Sequence, residues 1–272
     1  ERSVVADGPL EFRIRCKYEV CDHSILVQDV VFHRESPLVE WDCRLDWNDK
    51  HRLLKTAFRT NVRAGFARHE IQFGCIQRPT TRNNTREQAM FEVCNHRYTD
   101  LSEPSRGLCL VNDGKYGVSA EGGTLTLTLA KGGTRPDERG DRGVYTFRYG
   151  IIPHSGFSAD TARMGMRFDR LPLAVPGALE QAAFLWADAP NIVVETVKPC
   201  EDACNALVVR LYECEGSRST ARLYAGFEVT RAEVCDMMEQ PREPLDLARP
   251  LLFTPFEIKT LKLYYPVREE QS

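Results

Sequence analysis

Trp41-Asp42-Cys43-Arg44-Leu45-Asp46-Trp47 alternates apolar and charged side chains through seven consecutive positions. Successive side chains of a β-strand point to opposite faces, so this stretch reads as a strand with one face on a core and the other in water. The same period of two recurs on both sides of it. Phe12, Ile14, Cys16, Tyr18 and Val20 alternate with Glu11, Arg13, Arg15, Lys17 and Glu19. Leu125, Leu127 and Leu129 alternate with threonines, and Tyr145, Phe147 and Tyr149 alternate with Thr146 and Arg148. Turn signals separate the runs at Asn112-Asp113-Gly114, Glu121-Gly122-Gly123 and Gly132-Gly133.

Helical spacing is scarce. A short helix is expected from Arg86 to Val93, with Thr85 as its N-cap. Many strands and few helices predict an all-β fold: a large antiparallel β-sandwich, supersandwich-like, followed by a smaller terminal β-sandwich. The strands pause between about residues 155 and 180, where Pro172 and Pro176 fall. The expected domains are therefore 1–165, open at its start, and 166–272. The second block has strand runs at 191–198, 207–213, 221–227 and 255–263. In the last of these the apolar phase slips from Phe256 and Ile258 to Leu261 and Leu263, as a β-bulge would produce.

Composition removes several function classes. The chain has 272 residues, 42% of them hydrophobic, enough for one large or two medium cores. A formal net charge of -3, with no basic stripe, excludes the electrostatic footprint of a nucleic-acid or anionic-membrane binder. No run of about 18 apolar residues is present to span a bilayer. The first residues are polar and charged and do not read as a signal peptide, and the chain opens on Glu1 and not on Met, which fits a domain cut from a longer protein. The ten cysteines contain no Cys-x-x-Cys, and Cys16, Cys43 and Cys75 fall on apolar strand phases. They read as reduced core thiols of a cytoplasmic protein.

A set of ordered segments carries a family resemblance. They are His51-Arg-Leu-Leu-Lys-Thr-Ala-Phe58, Glu70-Ile-Gln-Phe-Gly74, Arg78-Pro-Thr80, Phe91-Glu-Val93, Asp100-Leu-Ser-Glu103 and Val111-Asn-Asp-Gly-Lys-Tyr-Gly117. Pro153-His154 closes the first block. Asn191-Ile-Val-Val-Glu-Thr-Val-Lys198, Val209-Arg-Leu-Tyr-Glu213 and Pro255-Phe-Glu-Ile-Lys-Thr-Leu261 follow in the second. In this order they resemble the C-terminal β-domains of glycoside hydrolase family 38 α-mannosidases, over roughly residues 40–265. The family pattern carries an aromatic where Arg86 stands, which implies a differently built loop after Thr80.

The resemblance implies a zinc-dependent, retaining release of terminal α-mannose from oligosaccharides. It places the zinc and the catalytic carboxylates in an N-terminal catalytic domain, which would be this chain's partner. No catalytic residue and no metal ligand is therefore expected here. The six histidines are isolated, and none begins a His-x-Asp or His-Glu-x-x-His. Self-association is left open. A free-standing carbohydrate-binding or scaffold protein is the rival reading.

Two loops are candidate sugar contacts. Asn112 to Gly117 reads first as a tight hairpin turn, since Asn-Asp-Gly supplies the backbone angles. Facing a substrate, Asp113 and Lys115 would bond hydroxyls and Tyr116 would stack on a pyranose. The second loop, Lys131 to Gly143, reads first as a solvated, charge-balanced connection. The resemblance implies that, as in some family members, a basic, acidic-flanked loop at this place approaches the cleft, which implicates Lys131 and Arg135, held by ion pairs with Asp137 and Glu138.

Overall fold

The computed structural model describes residues 1–156, 160–177 and 183–267. It resolves into two compact units: Glu1–Ile71 with Ile76–Leu171, and Gln72–Cys75 with Pro172–Ser272. The division expected at 165/166 falls inside a helix, α2 (Asp160–Asp169). That helix packs on strands of the first unit, so the division lies beyond it.

In the first unit the strands are β1 (Arg2–Asp7), β2 (Glu11–Glu19), β3 (Ile25–His33), β4 (Val39–Trp47), β5 (Leu53–Arg59), β6 (Phe66–Ile71) and β7 (Gly74–Pro79). After α1 (Thr85–Ala89) come β8 (Val93–Cys94), β9 (Tyr98–Glu103), β10 (Arg106–Asn112), β11 (Gly117–Glu121), β12 (Thr124–Lys131) and β13 (Gly143–His154). They form a nine-stranded sheet in the order β1-β2-β3-β4-β13-β10-β9-β6-β7 and a four-stranded sheet in the order β5-β12-β11-β8. Cys43, Leu45, Trp47, Leu101, Leu110, Phe147 and Tyr149 of the large sheet share one core with Val118, Leu125, Leu127 and Leu129 of the small one. Two sheets meeting across one apolar layer make a β-sandwich.

Trp41 shows how the layers lock. Its ring stacks on Tyr149 at 5.3 Å and 6°, and meets Phe58 of the opposite sheet at 5.2 Å. The Tyr149 hydroxyl, buried in this layer, accepts from Gln28 Nε2 at 2.6 Å. Burying each such side chain contributes about 1.5–3 kcal/mol.

Alternation predicted β4 and β12 well, held in β13 for Phe147 and Tyr149 but not for the exposed Tyr145, and overstated β2. There only Cys16 is buried, and Tyr18 is exposed. Nine strands face four, so the strands toward the β1 margin have no opposite layer to cover them. The polar face of β2 and β3 is tied instead by Arg15, which donates to both oxygens of Asp29 at 2.7 and 2.8 Å. The short helix is also displaced. It spans Thr85–Ala89, and Asn84, not Thr85, is the N-cap, its side chain accepting from Glu87 N at 2.9 Å.

The second unit contains β14 (Leu185–Ala187), β15 (Ile192–Pro199), β16 (Ala206–Glu213), β17 (Ser219–Ala221), β18 (Leu223–Ala225), β19 (Arg231–Cys235), β20 (Pro241–Pro244), β21 (Leu251–Phe253) and β22 (Ile258–Tyr264). A five-stranded sheet, β15-β16-β22-β19-β20, is accompanied by the ribbons β14-β18 and β17-β21. Ile192, Val209, Leu211, Leu261 and Leu263 of the sheet share a core with Ala221, Leu223, Leu251 and Phe253 of the ribbons. Gln72–Cys75 belongs to the same unit: the Phe73 ring meets Tyr212 edge-on at 5.6 Å. A Cβ on Gly74 would lie 2.8 Å from the Phe256 ring, so only glycine fits there.

Two expectations for this unit are corrected. The run 221–227 is not one strand; it splits between β17 and β18, which lie in different ribbons. The phase slip before Leu261 is not a bulge, because β22 pairs continuously with β16 from Ile258 to Tyr264. Phe256 precedes the strand in a left-handed turn (φ 58°), and Ile258 simply lies on the face away from Leu261. A register shift occurs instead in β15, between Val194 and Thr196.

None of the ten cysteines is in a disulfide. Six are buried, and burial pushes the Cys43 thiol up to about 12, which keeps it protonated and inert. Thiol titration without reductant should find ten thiols in unfolded protein. In the native protein the exposed Cys94 and Cys204 should react first. Fewer than ten would mean that oxidised pairs form in solution.

Candidate functional site

β10 ends at Asn112, and the chain must turn sharply to enter β11 at Gly117. Asn112 is fully buried and folds the turn with its side chain. Its Oδ1 accepts from Gly114 N at 3.0 Å and Lys115 N at 2.7 Å, and its Nδ2 donates to His96 O at 2.9 Å. Gly114 supplies a φ of 126°. The His96–Arg97 backbone that receives Asn112 is itself pinned by buried Glu70, which accepts from Arg97 N at 2.7 Å and Arg97 Nη2 at 2.6 Å. The turn is thus rigid from the buried layer outward.

Asp113 faces β13. Both its oxygens accept from Arg148 N at 2.9 Å, and Arg148 Nε stands 3.6 Å away. The Arg148 guanidinium goes on to Glu40 at 3.1 Å and to Phe168 O at 3.0 Å. Burial raises the Asp113 carboxyl above its ordinary value, against the lowering effect of the Arg148 N–H and charge. This carboxylate is occupied in holding the turn to β13.

Lys115 is placed differently. Its ammonium stands 4.1 Å from the Phe147 ring centroid and 5.8 Å from that of Tyr145. Burial lowers its pKa, and the fields of Asp113 and Asp141 partly restore it. An ammonium over two rings keeps three N–H donors for a ligand. Tyr116 is exposed, its ring 5.4 Å from that of His96.

The loop between β12 and β13 folds back on itself. Gly132 N donates to Arg52 O at 2.8 Å, and Gly132 O accepts from His51 N at 2.6 Å. A methyl on Gly132 would overlap the Asp49 carbonyl, and one on Gly140 the Gly133 carbonyl. Lys131 and Arg135 are exposed. The expected ion pairs with Asp137 and Glu138 do not form. Asp137 accepts from Arg139 N at 2.9 Å instead, and Glu138 offers its carbonyl to Arg142. Tight backbone reversal spends the acidic side chain on the turn itself.

The structure therefore brings Asp113, Lys115 and Tyr116 together on one turn. From the second loop it adds Asp141, whose field reaches Lys115, while no contact links Lys131 or Arg135 to that turn among the described residues. Sequence reading missed Arg148, Glu40 and Phe147 as supports. Their one signal was position on β13 and β4. Among the described residues no group of three or more His, Cys, Asp or Glu could hold a metal ion. No helix is long and apolar enough to cross a membrane.

A profile described as the glycosyl hydrolases family 38 C-terminal domain matches residues 1–139, just over half the chain. The chain belongs to glycosyl hydrolase family 38. A second profile of that family, its C-terminal beta sandwich domain, matches residues 191–261. Alpha-mannosidase 2C1 of Homo sapiens is 37% identical over 260 residues, covering 90% of this chain and 25% of that protein. Alpha-mannosidase G of Dictyostelium discoideum is 31% identical over 278 residues, covering 95% and 26%. This family 38 chain thus spans about a quarter of the length of the curated relatives it matches. The crystal structure of an alpha-mannosidase from Enterococcus faecalis V583 covers 98% of the chain with a TM-score of 0.79, using 35% of its own length. At 16% identity that likeness concerns the fold alone.

Proposed function

We propose that this chain is the C-terminal β region of a retaining, zinc-dependent α-mannosidase that releases terminal α-mannose from oligosaccharides in the cytoplasm. The observation that carries the reading is the 37% identity to Alpha-mannosidase 2C1 along 90% of the chain. The zinc and the pair of carboxylates, about 5–5.5 Å apart in retaining enzymes, would lie in a catalytic domain outside this chain. Bound there, the zinc would supply electrostatic stabilisation of the sugar during reaction.

In this reading the chain walls the cleft and supports that catalytic domain, and the 112–117 turn gives sugar contacts. Lys115 donates to sugar hydroxyls from its seat over Phe147 and Tyr145. Tyr116 offers an exposed ring to a pyranose face. Asp113 acts as a positioning residue, since its oxygens hold the turn to β13. Lys131 and Arg135 reach substrate only as exposed side chains of the neighbouring loop.

The test uses full-length enzyme carrying Lys115→Met or Tyr116→Ala, with Arg135→Ala beside them. Lys115→Met keeps the apolar stem over the rings and removes the donors. Its kcat/KM on a mannose oligosaccharide should fall about tenfold or more, equivalent to ~1.4 kcal/mol, with an almost unchanged melting temperature. Wild-type kcat/KM in both turn variants would overturn the sugar-contact role.

A further inference from the structure

Five aromatic rings lie together in the second unit. β14 pairs with β18 so that Trp186 stands opposite Tyr224, while Leu185, Ala187 and Leu223 turn into the core. Phe184, two residues before Trp186, shares its face and receives Gly226 N at its carbonyl, 2.8 Å away. Trp186 and Tyr224 stack at 5.3 Å and 10°, and Phe184 and Phe227 at 4.8 Å and 23°. Tyr265 closes the row edge-on to Phe227 at 6.4 Å. Phe227 packs on the core, whereas Phe184 is 54% exposed, Trp186 42% and Tyr224 39%.

The row leads into a cavity of about 600 Å³ lined by Phe184, Leu207, Gly226, Phe227, Glu228 and Tyr265. That volume is in the range of small-ligand sites. The Tyr265 hydroxyl is already used, donating to Cys204 O at 3.0 Å. Glu228 is exposed and has no ion-pair partner among the described residues, so its oxygens are available acceptors.

We propose that this ring row and cavity bind pyranose units of a neutral oligosaccharide, at a site separate from the 112–117 turn. In each stacked pair one face of each ring is taken by its neighbour, and the outer faces that remain are what a sugar's C–H face would cover, with hydroxyl donors left for a carboxylate at the rim. A bound cation would call for rings arranged as walls around a point, whereas these lie in two stacked pairs. A protein partner would need about 800 Å² on its side, and the ribbon is three residues long, about 10 Å. Choosing a mannoside as probe rests on the α-mannosidase reading; the ring geometry does not.

The 272-residue chain is titrated with α-linked mannotriose and, in parallel, maltotriose. Of the three tryptophans Trp186 is the exposed reporter, since Trp47 is fully buried and Trp41 is half-buried against Tyr149 and Phe58. A saturable change in tryptophan emission with at least one trisaccharide is expected. Calorimetry on Phe184→Ala, Tyr224→Ala and Glu228→Gln should then show about tenfold weaker binding in each. All three side chains are exposed, so circular dichroism and melting temperature should stay near wild type. No saturable response to either sugar overturns the site, as does unchanged affinity in both ring variants. A concentration-dependent dimer abolished by Phe184→Ala would also overturn it, assigning the rings to a second copy. Because this binding is read on the chain itself and the Lys115 effect on full-length turnover, failure of one leaves the other readable.

Discussion

Glu213→Ala should lower the unfolding midpoint of the second unit by more than about 10 °C, taking ~3 kcal/mol and 4–8 °C per kcal/mol for a domain of this size. Glu213 is fully buried and accepts six hydrogen bonds. Four come from the backbone N–H groups of Glu215 (2.9 Å), Gly216 (2.7 Å), Ser217 (3.1 Å) and Phe256 (3.1 Å). Two come from Asn191 Nδ2 at 2.8 Å and Ser217 Oγ at 3.2 Å. One carboxylate thus joins the turn after β16 to the turn before β22. Alanine would leave buried donors without an acceptor, the costly side of hydrogen-bond removal.

The same residue gives a pH signature. Burial pushes the Glu213 carboxyl up, but the donors from Phe256, Glu215, Asn191 and Ser217 outweigh it and hold the pKa below the ordinary 4.5. A depressed carboxylate contributes fully above its unfolded value and loses that contribution as pH falls through the folded one. The stability gap between wild type and Glu213→Gln should therefore be constant at neutral pH and narrow below 4.5. Thermal melts of both proteins across that range decide it; a gap unchanged in acid would show that the carboxylate's charge is not what holds the turns.

Asp100→Ala should cost about 3–5 kcal/mol in the first unit, the usual cost of removing one partner from a buried ion pair. Asp100, in the middle of β9, has no exposed side-chain surface. It accepts from Ser102 Oγ at 2.7 Å and Arg68 Nη2 at 3.0 Å, and lies 2.8 Å from His154 Nε2. The variant removes the carboxylate shared by the Arg68 guanidinium, the Ser102 hydroxyl and the His154 imidazole at a buried position of the sheet. Gly107→Ala attacks the same cluster from β10, because its methyl would overlap His154 and Ser102. Denaturant unfolding should give similar losses for both. A loss under about 1 kcal/mol in Asp100→Ala would mean that the cluster is solvated and belongs with surface pairs.

What could be read in advance follows from where each signal is stored. Strands β4 and β12, and β13 from Phe147 onward, alternate because the opposite layer of the sandwich covers one face of each, so burial and sequence period coincide there. The helix α2 was missed because its buried face is built from Thr161, Ala162 and Gly165 before Phe168. Small residues carry little periodic hydrophobicity, yet Gly165 lets the helix sit close: a Cβ there would stand 3.1 Å from Tyr98. The 112–117 turn was legible because Asn-Asp-Gly writes its own geometry. Its supports were not, since Arg148 lies 35 residues from Asp113 and meets it only through sheet pairing. Likewise the Phe256 donor to Glu213 comes from a turn 43 residues away, and the Asn191 donor from 22 residues back.

The segment Gln72–Cys75 makes the second unit discontinuous along the chain. Phe73 packs on Tyr212 across 139 intervening steps of sequence, and Cys75 Sγ points to Cys214 O at 3.7 Å. During synthesis this tetrapeptide emerges long before the strands it completes, so its contacts with Tyr212 and Phe256 can form only after those residues have left the ribosome. Nor can the unit be excised by one cut. A clone of 172–272 would lack the ring over Tyr212 and the glycine against which Phe256 rests, and would expose both apolar surfaces to other chains.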